Sequence, residues 1–246
     1  MLFRSAMPRF FVEQAGDDEI IITGEDARHI GRSLRMRVGE PLTVCACGTD
    51  YHCEITRITD SEVFLRPLSS EPCAAEPSVR VTLYQAVPKQ DKLAEIVQKA
   101  VELGACEIVP VLTARCVSRP DERDFEKKRQ RLQKIAVSAA KQSGRGIIPE
   151  VAPLHSWKQA LARMQQEDCS IMLYEEEGGV RFGEVALEGC TRIGLFIGSE
   201  GGIAPEEAEQ AAEAGLQRVW LGKRILRCET APTAALSILM YLTKNL

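Results

Sequence analysis

The stretch "RIGLFIGSEGG" (residues 192–202) joins an apolar run to three glycines, and "IAPEEAEQAAEAG" (203–215) follows it. The apolar run predicts a buried strand, and the residues after the glycines predict a helix. Glycines at such a junction let a ligand approach bare backbone. The stretch has neither the GK[ST] of a P-loop nor the GxGxxG spacing, so it does not predict a nucleotide phosphate site. Glu200 would repel a phosphate and suits a ligand with a positive centre.

A second glycine loop, "LGKRILRCETA" (221–231), also follows a predicted strand. Gly222 comes after that strand, and Arg227 and Glu229 precede the last helix, where Thr230 can cap and Pro232 fits the first turn. Each loop also has a structural explanation, because tight turns need glycine and Arg227 can form a surface pair with Glu229. Two such loops at neighbouring strand ends favour a binding site.

From Val79 onwards, predicted strands alternate with predicted helices. The helix in "PKQDKLAEIVQKAVELG" (88–104) has Pro88 at its start, an apolar stripe, and Gly104 as its stop. Alternation of this kind predicts an α/β domain with a parallel sheet, in which ligands bind at the carboxyl ends of the strands. We therefore expect the loops after Tyr174, Ile197 and Leu221 to lie side by side.

Residues 8–70 carry short alternating runs that predict a small β-barrel. The exception is "GEDARHIGRSLRMRVGE" (24–40), where Ile30 and Leu34 predict one short helix. The stretch "SSEPCAAEPS" (69–78) predicts a linker. The sequence thus predicts two domains, with residues 1–72 forming the barrel and residues 78–246 the α/β domain.

Charge is distributed unevenly along the chain. The net charge is −4, yet residues 115–145 carry ten Lys and Arg against four Asp and Glu. A second basic cluster lies at 28–37. Local basicity on an acidic protein predicts an RNA-binding face, with a solvated helix face as the alternative.

Several classes of protein are disfavoured by the remaining composition. No apolar run approaches the length of a membrane span, and the start lacks the apolar centre of a signal peptide. The nine cysteines are odd in number and form no CxxC, and the three histidines lack the spacing of metal ligands. We therefore expect a cytoplasmic protein with no membrane association and no metal site.

Six motifs in order resemble the bacterial RsmE family, from about Pro8 to the C-terminus. They are "PRFFV" (8–12), "EDARHIGRSLRMRVGE" (25–40), "KQDKLAEIVQKAVELG" (89–104), "KQSGR" (141–145), "IGSEGG" (197–202) and "LGKRILRCETA" (221–231). This family comprises SPOUT-class methyltransferases that methylate N3 of one uridine in 16S ribosomal RNA with S-adenosylmethionine. "MLFRSA" (1–6) precedes the family's usual beginning and is expected to be an extension or a start-site choice. Ser199 stands where the family more often has proline.

The resemblance implies a PUA-like β-barrel followed by an α/β SPOUT domain with a deep trefoil knot, acting as a homodimer on the small ribosomal subunit. In such knots the backbone of three loops holds the cofactor. The positions carried over as cofactor-binding are Leu173, Ile197, Gly198, Gly202, Leu221, Gly222, Ile225, Leu226 and Arg227.

The resemblance also suggests catalytic and RNA-binding residues. Uridine N3 carries a proton at neutral pH, so an enzyme must supply a base or a cation that stabilises the N3 anion. Arg227 is the candidate cation, and Glu229 or Glu200 is the candidate base. The expected RNA contacts are Arg9, Arg28, Arg32, Arg35, Gln142 and Arg145.

Two other functions remain open at this point. One is a SPOUT ribose 2′-O-methyltransferase acting on ribosomal or transfer RNA, which would share the knot but not the "LGKRILRCETA" ending. The other is an RNA-binding module without catalysis, which would not bind S-adenosylmethionine.

Overall fold

The computed structural model describes residues 7–175 and 179–246, so "MLFRSA" lies outside the described residues. The described chain divides into two compact units. The first ends at Glu76 and also includes Gly144–Ile147, and the second takes Pro77–Ser143 and Ile148–Leu246. The first unit therefore contains a short segment that is distant in sequence.

The first unit is built on one five-stranded sheet. Its elements are β1 (Arg9–Phe11), β2 (Ile20–Thr23), α1 (Gly24–Arg28), β3 (Pro41–Ala46), β4 (Thr49–Ile58) and β5 (Glu62–Pro72), and the strand order is β1-β3-β4-β5-β2. Alternating burial along β2 directs Ile20 and Ile22 into a core with Leu42, Val44 and Leu65. The predicted β-rich domain is confirmed.

Two local predictions in this unit are confirmed only in part. The predicted helix is α1 followed by a π-helical turn, His29–Ser33, and this wider turn buries Ile30 while Leu34 stays 41% exposed. The stretch 69–78 is not only a linker, because β5 continues to Pro72 in register with β4 and Cys73 is buried. Backbone pairing with a neighbouring strand overrides the turn-like composition there.

The second unit alternates strands and helices. Its elements are β6 (Arg80–Ala86), α2 (Lys92–Glu102), β7 (Ala105–Leu112), α3 (Glu122–Ser143), β8 (Glu150–Val151), β9 (His155–Ser156), α4 (Trp157–Met164), β10 (Cys169–Leu173), β11 (Val180–Arg181), β12 (Arg192–Ile197), α5 (Pro205–Glu213), β13 (Gln217–Trp220) and α6 (Thr230–Leu242). The apolar stripe of α2 is buried. The helix begins at Lys92, four residues after Pro88, where the sequence predicts its start.

All strand pairs of this sheet are parallel, in the order β11-β13-β10-β12-β6-β7-β8, with β9 beside β7. The predicted α/β class with a parallel sheet is confirmed. Because β13, β10 and β12 are neighbours, their carboxyl ends meet at one edge, as the sequence predicts. No helix in the described residues has the length and hydropathy needed to span a membrane.

Candidate active site

A cavity of about 690 Å³ lies where β10, β12 and β13 end. Its walls come from the three loops that follow these strands and from Lys92 and Ala231. All nine residues expected to bind a cofactor line it: Leu173, Ile197, Gly198, Gly202, Leu221, Gly222, Ile225, Leu226 and Arg227. The structure thus gathers these positions around one space.

Two glycines explain why the walls need bare backbone. Gly222 has φ +113° and no atom within 4 Å of the position that a Cβ would take. At Gly202, with φ +71°, a Cβ would lie 2.6 Å from Oε1 of Glu175. Side chains avoid both backbone conformations, and any added side chain would fill the cavity or collide with its wall.

The turn 198–202 is held by a backbone hydrogen bond from Gly202 N to Ser199 O at 3.0 Å. Ser199 is 8% exposed, and its Oγ has no hydrogen-bond partner among the residues that the structure describes. A buried hydroxyl without a partner is costly unless a ligand or water completes it. Ser199 therefore lines the cavity while its hydroxyl oxygen is buried without a partner among these residues.

Lys92 connects the two glycine loops. Its Nζ lies 3.0 Å from Oε1 of Glu200 and 3.1 Å from Oε2 of Glu229. The hydrogen bonds that Lys92 donates to Glu200, and then to Glu229, raise the pKa of Lys92. The loop 198–202 and the segment before α6 thus share one ammonium group.

Glu200 and Glu229 are both stabilised as carboxylates. Burial raises the pKa of each, but hydrogen bonds outweigh it and the net shift is downward. For Glu200 the donors are its own backbone N–H, Lys92 and the backbone N–H of Lys89. A carboxylate with a lowered pKa is a weaker proton acceptor, which argues against either as the base.

Arg227 is exposed at the rim of the cavity. Its guanidinium has no hydrogen bond or ion pair with any described residue, because Glu229 pairs with Lys92 instead. Ile225, in the same segment, is 87% exposed. The segment therefore presents a free cation and an apolar side chain beside the cavity.

The expected RNA contacts divide into two groups. Arg28, Arg32, Arg35 and Gln142 are exposed. Arg9 instead binds Asp50 at 2.7 and 2.6 Å, and Arg145, which is 2% exposed, binds Glu76 at 2.7 and 3.0 Å. Internal carboxylates thus occupy the guanidiniums of Arg9 and Arg145, so we do not count these two residues among the free cations, and their RNA role stays a prediction.

Part of the basic cluster at 115–145 also has internal partners. On α3, Arg129 pairs with Glu126 and Arg131 pairs with Asp91, while Lys128 donates to the carbonyl of Gln90. Arg123, Lys127 and Lys134 remain exposed on the same helix. The basic composition of this region therefore overstates its free positive charge.

Comparison with known proteins decides the family. A family model described as "RNA methyltransferase domain" matches residues 75–240, and one described as "RNA methyltransferase PUA domain" matches residues 22–68. The chain belongs to the RsmE-type RNA methyltransferase family. The resemblance drawn from the six motifs and the PUA-like assignment of the first unit are thereby confirmed.

Three known proteins are similar to this chain over nearly its whole length. The ribosomal RNA small subunit methyltransferase E of Bacillus subtilis is 35% identical, with 98% of each chain covered. The crystal structure of this enzyme from Neisseria gonorrhoeae, bound to S-adenosylmethionine, is 32% identical with a TM-score of 0.84, covering 96% of this chain and 98% of that one. A Legionella pneumophila protein described as a "putative methyltransferase", in complex with the same cofactor, is 28% identical with a TM-score of 0.81, covering 96% of this chain and 97% of that one.

The residues of this RsmE-type cavity fit S-adenosylmethionine. Apolar side chains of Leu173, Ile197 and Leu226 line the space. Glu200 adds an anion that suits a cationic ligand. The glycines leave room for a bulky molecule against the backbone.

Reasoning from the sequence of this RsmE-type chain did not find Lys92 or the buried hydroxyl of Ser199. Lys92 lies in "KQDKL", which also predicts an ordinary helix start, and its two partners are far away along the chain. The only feature of the sequence that could have marked Lys92 as a site residue is its place in a motif shared with the family. Nothing in the sequence marks Ser199 as lacking a partner.

Proposed function

We propose that this protein methylates N3 of a uridine in the 16S ribosomal RNA of the small subunit, with S-adenosylmethionine as methyl donor. The main support for the proposal is that the ends of three neighbouring strands line one cavity. The chain also belongs to the RsmE-type family. Relatives named ribosomal RNA small subunit methyltransferase E support the substrate, and a cofactor-bound relative supports the donor.

The cofactor would be held by the loops that follow β10, β12 and β13. When bound, it supplies a methyl group on a cationic sulfonium. Gly198, Gly202 and Gly222 would bring backbone against it. Ile225, with its exposed side chain, would contribute backbone.

Arg227 is the residue that we assign to the target base. Uridine N3 becomes nucleophilic when its proton leaves to solvent and negative charge spreads to the two carbonyl oxygens of the base, O2 and O4. A free guanidinium at the cavity rim can bind such an oxygen and stabilise that charge. Glu200 and Glu229 are held by Lys92, so we assign them to loop order rather than to proton removal.

RNA would contact both units of the protein. Arg28, Arg32 and Arg35 are exposed in the first unit, and Lys223 and Arg224 are exposed at the cavity rim in the second. A cation without an internal partner can bind a phosphate without first breaking an ion pair inside the protein. This supports RNA approaching the cavity along the 223–227 segment.

Neutralising Arg32 and Arg35 together as glutamine should weaken RNA binding and its salt dependence. Two lost phosphate contacts reduce the slope of log K against log salt by about 1.4 to 1.8 through counterion release. Cofactor affinity should not change. The measurement is RNA affinity at several KCl concentrations.

The matched control replaces Arg57 and Arg66 by glutamine, which changes the net charge equally within the same unit. Arg57 already packs over the ring of Phe64, and Arg66 pairs with Glu54. This control should keep the slope of the wild type. Equal slopes for both double variants and the wild type would exclude Arg32 and Arg35 from the RNA surface.

Assembly and location belong to the same proposal. α6 buries Leu236 and Leu239 but leaves Tyr241 71% and Leu242 38% exposed, which supports a partner subunit covering this apolar surface. The knot rests on the family resemblance, which places the segment 221–229 in it. A homodimer with a trefoil knot, acting on ribosomes in the cytoplasm, accounts for these features.

The test is to incubate purified small and large ribosomal subunits separately with the protein and methyl-labelled S-adenosylmethionine. Label should enter the RNA of the small subunit and not that of the large subunit. Cofactor binding without any transfer to either subunit would contradict the proposal and favour an RNA-binding module.

A further inference from the structure

The residues at the start of α2 contact both the turn 198–202 and the segment 221–229 that precedes α6. Lys92 binds Glu200 and Glu229 through a single ammonium nitrogen, at 3.0 and 3.1 Å. The backbone N–H of Lys89 also donates to the carboxylate oxygens of Glu200, at 3.2 and 3.1 Å. Glu200 lies within the glycine turn, and Glu229 ends the segment that carries Arg227.

These contacts are partly shielded from water. The side chains of Lys92 and Glu200 are 24% exposed, and that of Glu229 is 18% exposed. The thiol of Cys228 faces the same cluster, 3.2 Å from Oε2 of Glu229 and 3.8 Å from Nζ of Lys92. Burial raises the pKa of this thiol to about 12, so it is neutral and Lys92 supplies the positive charge.

We propose that Lys92 is a positioning residue that holds the glycine turn and the Arg227 segment at one spacing. This inference rests on the proposed methyl transfer, because that spacing sets where cofactor and base meet. Two carboxylates that bind the same cation would repel each other once the cation is removed. Lys92 therefore keeps two anionic loops together, and the net negative charge of the cluster suits a cationic cofactor.

Lys92→Met removes the charge and keeps a side chain of similar length. In the protein without cofactor, amide hydrogen exchange should become faster in both 198–202 and 228–231. Affinity for S-adenosylmethionine, measured by calorimetry, should fall on the order of tenfold, within the usual range of coupling between sites. Lys92→Arg, which keeps the charge, should retain most of the protection and affinity.

The matched control is Lys99→Met on the same helix. Lys99 pairs with Glu95 one turn away and does not line the cavity. It should change neither the exchange of the two loops nor the cofactor affinity. A general weakening of α2 would instead affect both variants alike.

Two changes that should restore affinity in Lys92→Met distinguish a role of the Lys92 charge from a role of its side-chain packing. Adding Glu229→Gln to Lys92→Met removes the repulsion and should restore part of the affinity. The carboxylate pair left by Lys92→Met has one raised pKa, so lowering the pH from about 7.5 to about 5.5 should protonate it and shrink the defect. A packing role would respond to neither change.

Faster exchange in only one loop, or a defect that ignores both rescues, would overturn the proposal. The exchange experiment needs neither cofactor nor RNA, so it tests Lys92 whatever the reaction proves to be. Failure of the wild type to methylate ribosomal RNA would contradict the proposed function alone.

Discussion

Replacing Arg227 by alanine is expected to lower the single-turnover rate about 100-fold at saturating cofactor and RNA, as the loss of one preorganised donor does. The free guanidinium at the cavity rim is the reason, since its cation and forked donors suit a uracil oxygen that gains charge. Arg227→Lys should recover only part of the rate, because one ammonium cannot reproduce the fork. Raising the pH should partly rescue Arg227→Ala, because deprotonation of N3 is the event that Arg227 assists.

The matched control for this variant is Arg224→Ala, three residues away on the same exposed segment. It should raise the KM for RNA with kcat unchanged, as expected when uniform binding is lost. If Arg227→Ala keeps the wild-type rate at saturation and loses only thermal stability, its role is structural. The pairing of Glu229 with Lys92 removes the partner that such a role would need.

Gly222→Val should weaken S-adenosylmethionine binding about 100-fold, from the combined cost of a strained positive φ and of filling the cavity. The backbone at Gly222 has φ +113°, and the space beside it is open. Gly198→Val should act in the same direction, since its Cβ would lie 3.1 Å from the side chain of Ile203. Calorimetry with the purified variants measures both affinities.

Gly215→Val is the control for Gly222→Val, because it introduces the same kind of backbone strain without filling the cavity. Gly215 has φ +88° and no atom within 4 Å of a Cβ, like Gly222, but it follows α5 and does not line the cavity. This variant should lose stability and keep its cofactor affinity. Equal affinity in Gly222→Val and the wild type would remove the loop from the site.

The strand-end geometry of the site follows from local sequence patterns. Alternation of strands and helices requires a parallel sheet, and a parallel sheet brings carboxyl ends to one edge. The glycines at 198, 202 and 222 mark where the chain turns away from that edge. These features depend on near neighbours in sequence, which is why they can be predicted.

The ion pairs depend on tertiary structure and cannot be read in the same way. The motif "KQSGR" suggests that Arg145 faces RNA, yet Arg145 lies buried against Glu76, 69 residues away. Lys92 shows the opposite case, because its sequence predicts only an ordinary helix start. In the structure its side chain binds both Glu200 and Glu229. Charge in the sequence does not say which partner the fold supplies.

The most direct test of the proposed function is to map the methylated nucleotide. Small ribosomal subunits that lack the modification would be treated with the protein and labelled S-adenosylmethionine, and their RNA digested for mass spectrometry. The predicted result is one labelled uridine with the methyl group on N3 of the base. Label on a ribose 2′-oxygen, or on a base other than uracil, would contradict it.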